Sequence, residues 1–346
     1  MNDSDHLPLA FTLLTGFLGS GKTTLLRRML ADPSMGDTAV LINEFGEIGL
    51  DHLLVSSLTE DVVLLESGCI CCSVGDDFGL ALESLLSRRR SGQVPPFRRV
   101  VLETSGIADP APIQQRILTD ERLSRQLSIH SVITVVDAVL GAGNLDRHLE
   151  CVGQIVVADR IILSKAELAR DAQRDELLCR LRKLNPTAPI MIPEPVGALP
   201  ENLFGQRELL QSEFTQQRWT AMTAPISRPT PALRAESTHD HRYSTFVIRY
   251  EEPLDWQDFA AWIENLLLAR GASILRMKGL IYVTGRTNPV VVQGVQHCLY
   301  PPSELSAWPH PTPRTELVFI TQDFPKEAAL TSFHQFMNGS TASGFT

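Results

Sequence analysis

Nine residues, GFLGSGKTT at positions 16–24, constrain this chain more than any other feature. Gly16, Gly21, Lys22 and Thr23 satisfy the spacing G-x-x-x-x-G-K-[ST]. The motif lies between an apolar run, FTLLTG, and an amphipathic one, KTTLLRRMLA, which is the strand-to-helix setting that gives it meaning. Glycines at 16, 19 and 21 allow backbone N–H groups to turn inward around phosphates, and the helix N-terminus adds positive potential. Lys22 then reaches the β and γ oxygens, Thr23 offers its hydroxyl to Mg²⁺, and Ser20 and Thr24 complete the loop. A P-loop nucleotide hydrolase is expected.

The chain around the motif supports that fold. Apolar runs alternate with helical patterns: AVLIN; DVVLLESG, then DDFGLALESLLSRRR; RRVVLETSG, then a helix within 111–126; SVITVVDA; DRIILSK; APIMIP. Such alternation predicts right-handed crossovers and a mostly parallel sheet, with ligands at the carboxyl ends of the strands. Prolines 195, 200, 225, 229 and 231 then break the rhythm, so a linker is placed at 201–242, between a P-loop domain at 1–200 and a smaller α+β domain at 243–346. A length of 346 residues suits two domains at roughly 100–200 residues each. In the second domain a strand (YSTFVIRYEE), a helix opening at Asp255, strands at SILRMKG, LIYVTG, PVVVQGV and ELVFITQ, and a last helix near 325–337 predict mostly antiparallel pairing. No catalytic motif is visible there. Binding, regulation or dimerisation is its expected work, and a homodimer is among the expected assemblies.

Two further segments belong with a nucleotide. The strand RVVLE ends in Glu103, followed by Gly106, a spacing like the D-x-x-G element of GTPases with Glu replacing Asp. Glu103 would join the magnesium shell, and the Gly106 N–H would sense the γ-phosphate. Ile107 follows where many GTPases place a water-orienting glutamine, so intrinsic hydrolysis is expected to be slow unless Glu44, Glu47, Asp109 or a partner positions the water. Late in the sheet, Ser164-Lys165-Ala166-Glu167 stands where GTPases carry N-K-x-D. A carboxylate two residues after the lysine can accept both N1–H and N2–H₂ of guanine, which adenine lacks, while the Lys165 stem covers the ring. GTP is the expected nucleotide.

Cys69, Cys71 and Cys72, in the run GCICC, directly follow the strand VVLLES and therefore also belong at the strand ends. Three thiolates suit zinc, Cu(I) or cobalt, and leave one tetrahedral position open for exchange. A redox pair at Cys69 and Cys72, or buried structural cysteines, are the competing readings. Cys151, Cys179 and Cys298 stand alone and are expected in the core. Glu44, Glu47 and Asp51 fall in a Gly-containing loop at a switch position, with a solvated acidic turn as the bland alternative.

Composition excludes other classes. A net charge of −9 argues against nonspecific nucleic-acid binding. The one basic cluster, Arg88-Arg89-Arg90, ends a predicted helix and reads as capping. No apolar run reaches membrane-span length, and MNDSDHLPLAF has neither the basic start nor the cleavage site of a secretory signal, so a cytoplasmic protein is expected.

Taken in order, GFLGSGKTTLL, NEFGEIGLD, GCICC, ETSGIADP and SKAE resemble the CobW-type family of GTPase metallochaperones over nearly the whole chain, and LRMKGLIYV and ELVFITQDF resemble that family's C-terminal domain. The resemblance implies zinc or cobalt delivery to a client metalloprotein, driven by GTP binding and hydrolysis, with the metal on the CxCC cysteines. Two departures stand out. Ile42 replaces the first acid of the ENEFG that family members often carry, and a long His-rich loop is reduced to His239-Asp240-His241, readable as an auxiliary metal contact or as a solvated loop. His297 is too isolated to assign. A P-loop kinase of a small metabolite, and a zinc sensor without turnover, are the alternative function classes. SKAE speaks against the kinase, and turnover assays separate the sensor.

Overall fold

The structure is a computed structural model that describes residues 8–42, 63–66, 76–194 and 242–342. The described chain forms two compact units, one around each of two sheets.

The first sheet is built from β1 (Leu9–Thr15), β2 (Thr38–Ile42), β3 (Val63–Glu66), β4 (Arg99–Glu103), β5 (Leu127–Asp137), β6 (Arg160–Ser164) and β7 (Ile190–Met191), in the order β3-β2-β4-β1-β5-β6-β7. Every pairing is parallel. β1 is central, with β4 on one side and β5 on the other. The chain therefore leaves it at the point where strand order reverses, and a crevice opens there at the carboxyl edge. Strands buried on both faces must be apolar throughout, which is why TAVLI and RVVLE read as continuous runs.

Helix α1 (Lys22–Leu30) lays Leu25, Leu26, Met29 and Leu30 on one face of the sheet against Leu14, Val40, Val101 and Ile133; each such side chain contributes about 2 kcal/mol by leaving water. α2 (Asp76–Arg90) sends Phe78 edge-on to Phe11 of β1. The expected helix within 111–126 is two, α3 (Ala111–Thr119) and α4 (Glu121–Gln126). Asp120 divides them: its N–H closes α3 on Arg116 O, and its carboxylate accepts from Arg122 N and Leu123 N to start α4. Three further helices lie where the sequence reading placed none: α5 (Gly141–Arg147), α6 (Leu149–Val156) and α7 (Asp171–Leu184). Arg88-Arg89-Arg90 does end α2, and Arg89 does more than cap: its Nε donates to Phe97 O at 2.8 Å and its guanidinium lies over the Phe97 ring.

In the second unit, β8 (Tyr243–Tyr250), β9 (Ile274–Ile281), β10 (Val290–Val295), β11 (Cys298–Leu299) and β13 (Thr315–Gln322) form an antiparallel sheet in the order β11-β10-β9-β13-β8, and β12 (Ser303–Glu304) adds to β10. α8 (Trp256–Arg270) is capped by Asp255, whose carboxylate accepts from Gln257 N and Asp258 N. With α9 (Lys326–Ala342) it covers the face carrying Phe246, Ile248, Leu317 and Phe319, where Trp262 packs edge-on to Phe333.

Two expectations are corrected here. SILRMKG and LIYVTG are not two strands, because ILRMKGLI runs unbroken as β9. Gly279 inside it is no breaker; a Cβ there would come within 2.4 Å of Leu317 Cδ2, so it makes room for a core side chain of β13. Cys151 and Cys298 are buried as expected, but Cys179 is exposed on α7. Among the described residues, no helix is long and apolar enough to cross a membrane.

Candidate nucleotide site

The loop after β1 wraps as a phosphate cradle must. Gly16, Gly19 and Gly21 have φ of 140°, 70° and 95°. At Gly16 the constraint is also one of space, since a Cβ would fall 2.2 Å from Val135 O of β5. Lys22, at the first position of α1, is buried, and its Nζ donates to Gly16 O at 2.9 Å and Phe17 O at 3.3 Å. The ammonium is thus folded over carbonyls of the loop itself, in the concavity where a triphosphate would compete for it. Ser20 is buried and Thr24 exposed.

Thr23 and Glu103 meet although 80 residues separate them: Thr23 Oγ1 donates to Glu103 Oε1 at 2.7 Å. Register explains the meeting, because Glu103 ends β4 opposite Leu14 of β1 and Ile42 of β2, at the edge from which α1 starts. A hydroxyl and a buried carboxylate brought together at a helix N-terminus are hard oxygen donors of the kind Mg²⁺ takes, so this pair fits the ion.

The next loop, residues 104–108, is fastened to the first. Thr104 N donates to Leu14 O and Thr104 Oγ1 to Thr15 Oγ1, both at 2.9 Å. Gly106 is pressed against the phosphate loop so closely that a Cβ would lie 2.6 Å from Leu18 N. Ile107 is exposed. Asp109, a candidate for positioning water, spends Oδ1 on Ala111 N at 2.9 Å and so starts α3. Beneath the loop, Gln154 Nε2 donates to Gly106 O and Ala108 O, each at 3.1 Å.

Ser164 ends β6, and Lys165 and Glu167 follow it on the same edge. Ser164 Oγ donates to Ser20 O at 2.6 Å, and Lys165 Nζ donates to Gly19 O at 2.8 Å and to Asp137 Oδ2 at 2.6 Å. Lys165 holds φ of 55°, a left-handed conformation that costs a non-glycine residue energy and persists here with both ends of the residue tied down. Glu167 lies in a short 3₁₀ turn, Ala166–Leu168, with its side chain exposed. Sequence reasoning missed Asp137. It ends β5, is 4% exposed, and besides holding Lys165 accepts from Val139 N and Leu140 N. An acid closing the apolar run SVITVVD was its available signal. His148, also missed, packs against Phe17 of the phosphate loop with ring centroids 4.6 Å apart and the rings tilted by 31°.

Glu44, Glu47, Asp51, Cys69, Cys71, Cys72, His239 and His241 lie outside the described residues. Among the described residues, no group of three or more His, Cys, Asp or Glu side chains could hold a metal ion. His297 Nδ1 stands 2.9 Å from Leu267 O, a contact that ties its loop to α8.

Comparison with known proteins agrees with this architecture. Residues 10–192 match the family described as CobW/HypB/UreG, nucleotide-binding domain, and residues 243–337 match the cobalamin synthesis protein cobW C-terminal domain. The zinc chaperone YjiA of Escherichia coli is 33% identical over 94% of this chain and 98% of its own length. A zinc-regulated GTPase metalloprotein activator of Schizosaccharomyces pombe is 35% identical over 77% of this chain and 68% of its own. The crystal structure of zinc-bound YjiA GTPase superimposes with a TM-score of 0.68 at 28% identity, covering 95% of this chain and 99% of that one. With both of its domains matched in order and a phosphate-binding loop, a hydrogen-bonded Thr–Glu pair and a lysine-bearing turn gathered on one edge of its parallel sheet, the chain belongs to the CobW family.

Proposed function

We propose that this protein is a GTP-hydrolysing metallochaperone that carries zinc on Cys69, Cys71 and Cys72 and passes it to a client metalloprotein according to the state of its nucleotide. The observation that carries the GTPase half is the Thr23–Glu103 hydrogen bond of 2.7 Å beside the folded-back Lys22. The similarity to a zinc chaperone and to a zinc-regulated GTPase metalloprotein activator supports the metal half.

Each residue has a physical task. Lys22 exchanges two carbonyl partners for phosphate oxygens, so the loop needs little rearrangement to receive them. Thr23 and Glu103 would hold Mg²⁺, which when bound neutralises charge on the β and γ oxygens. Gly106 presents its N–H to the γ-phosphate. Glu167, exposed at the edge, accepts the guanine donors, while Asp137 and Gly19 O hold the Lys165 stem in line to cover the ring. Three thiolates after β3 leave one exchangeable position for the cargo ion, and Glu44 in the switch segment links their loop to the triphosphate.

Linkage gives the test. If Mg²⁺-GTP tightens zinc binding by some factor, zinc must tighten GTP by the same factor, with a coupling of roughly 1–3 kcal/mol. Zinc-buffered titrations with a non-hydrolysable GTP analogue and with GDP are expected to show tighter zinc with the analogue, and turnover assays to show hydrolysis of GTP in preference to ATP. Equal zinc affinity in the two states, within a factor of about two, would refute nucleotide-gated delivery. Binding of both ligands without turnover would leave a sensor.

A further inference from the structure

Position 107 holds isoleucine where many GTPases orient water with glutamine, yet a glutamine does reach this loop, from another element and from below. Gln154 on α6 is 1% exposed. Its Nε2 donates to Gly106 O and to Ala108 O, the carbonyls on either side of Ile107, and its backbone carbonyl accepts from Thr134 Oγ1 of β5 at 2.7 Å. Oε1 is buried with no hydrogen-bond partner among the described residues. The two carbonyls decide which way the amide faces, because turning it over would set an oxygen against two oxygens.

The neighbours of Gln154 sharpen the point. Cys151, Val152, Ile155 and Val156 of the same helix are buried hydrophobics, and an apolar side chain at 154 would complete their face and remove the unpartnered Oε1, at the cost of the donor that Gly106 O and Ala108 O now have. Packing alone therefore does not account for an amide here. Its burial also keeps it from touching an attacking water. What it does touch is the loop whose central glycine is jammed against Leu18 of the phosphate loop.

We infer that Gln154 is a positioning residue for GTP hydrolysis: it holds residues 106–108 from beneath, so that the Gly106 N–H stays aimed at the γ-phosphate and the backbone beside Ile107 stays in place for the attacking water. The inference rests on the GTPase reading above. Diphosphate binding does not need this loop and should be indifferent to Gln154.

The test compares affinities for GDP and for a non-hydrolysable GTP analogue, together with kcat, in the unaltered protein, in Gln154→Met and in Gln154→Glu. Methionine keeps length and apolar packing but donates nothing. Expected for Gln154→Met is a GDP affinity within twofold of the unaltered protein, with the preference for the analogue and kcat each falling roughly ten- to a hundredfold, the scale of misplacing a reacting group by about an ångström. In Gln154→Glu the ionised carboxylate faces two carbonyls without a proton, whereas the protonated acid can donate to one of them. Its kcat relative to the unaltered protein should therefore recover as pH is lowered. Unchanged analogue preference and kcat, or a parallel loss of GDP affinity, would overturn the inference. Should Gln154→Met fail to fold, a loss in Gln154→Glu that is the same at every pH would overturn it. Failure of the GTPase reading would be visible in the unaltered protein itself, as absence of GTP binding, and would overturn both.

Discussion

The two sheets bury charge in different places. In the parallel sheet, Glu103 and Asp137 are the last residues of β4 and β5, and each is satisfied by a group from a distant stretch of chain, Thr23 and Lys165 respectively. In the antiparallel sheet, Arg276, Lys278 and Glu316 are buried within β9 and β13, on the face opposite the aromatic core. Glu316 lies across from Arg249 in the register of β13 with β8, and accepts from Arg249 Nε at 2.9 Å and from Arg314 Nε and Nη2 at 3.0 Å. A charge at a strand end opens onto the crevice and can trade its protein partner for a ligand. A charge within a strand, answered by its neighbours on the same sheet, instead records register, since a slip of one residue would turn it into the aromatic face.

Removing Lys22 should have the largest effect. Lys22→Ala is expected to weaken triphosphate binding at least a hundredfold, about 2.7 kcal/mol, by calorimetry, with folding intact. Unchanged affinity would break the strand-end half of the comparison. Next comes Glu167→Ala, expected to erase a GTP-over-ATP preference of roughly 10- to 150-fold, the range of a lost charge-assisted hydrogen bond of about 1.5–3 kcal/mol. Equal affinity of the unaltered protein for ATP and GTP would remove Glu167 from the site.

For the antiparallel sheet the expected effect is smaller and falls elsewhere. Glu316→Gln leaves two half-exposed guanidiniums without their counter-charge and should cost the second domain about 1–2 kcal/mol in urea unfolding, with GTP affinity unaltered. A change in GTP affinity would show that its charges do more than keep register.

Cys151 offers the finest test, as a buried titratable group that serves neither purpose. Burial, with the Glu150 charge adding to it, pushes its thiol up to about 12 from 9.0. The folded value lies above the unfolded one, so the stability this group gives is fully present below pH 9 and is lost as pH rises from there towards 12. Between pH 8 and 9.5 the loss should be under about 1 kcal/mol, read as the difference between the unaltered protein and Cys151→Ala. Alkylation at pH 8 followed by peptide mapping should modify exposed Cys179 and leave Cys151 unmodified. Rapid labelling of Cys151 would show that α6 opens readily.

How far the sequence carries depends on the distance over which each feature is determined. The seven parallel strands were legible from their short apolar runs between turn signals, and the gathering of Lys22, Thr23, Glu103 and Lys165 on one edge because each ends or shortly follows such a strand. β9 was misread where a core neighbour from β13, invisible in a local window, demands glycine at 279. α5 was hidden by its composition, GAGNLDR, in which two glycines and an asparagine speak against a helix while Gly141 and Leu145 are buried against the fold. Asp137 and Gln154 belong to no spacing motif. Each matters through a partner 28 to 48 residues away, although a lone glutamine on the apolar face of LECVGQIV was a signal available to be read.

Gly106 sits against Leu18 with no room for a single methyl group, which would fall within 2.8 Å of Leu18 N, Cα and Cδ2. On the proposed reading these two loops meet the same triphosphate, and they touch without a hinge or a spring between them. A displacement of residues 104–108 is felt at Leu18 at contact distance, so on that reading loss of the γ-phosphate would be signalled to the exposed Leu18 turn while Lys22 keeps its hold on the diphosphate. Signal decay and product release would then be separate steps with separate rates.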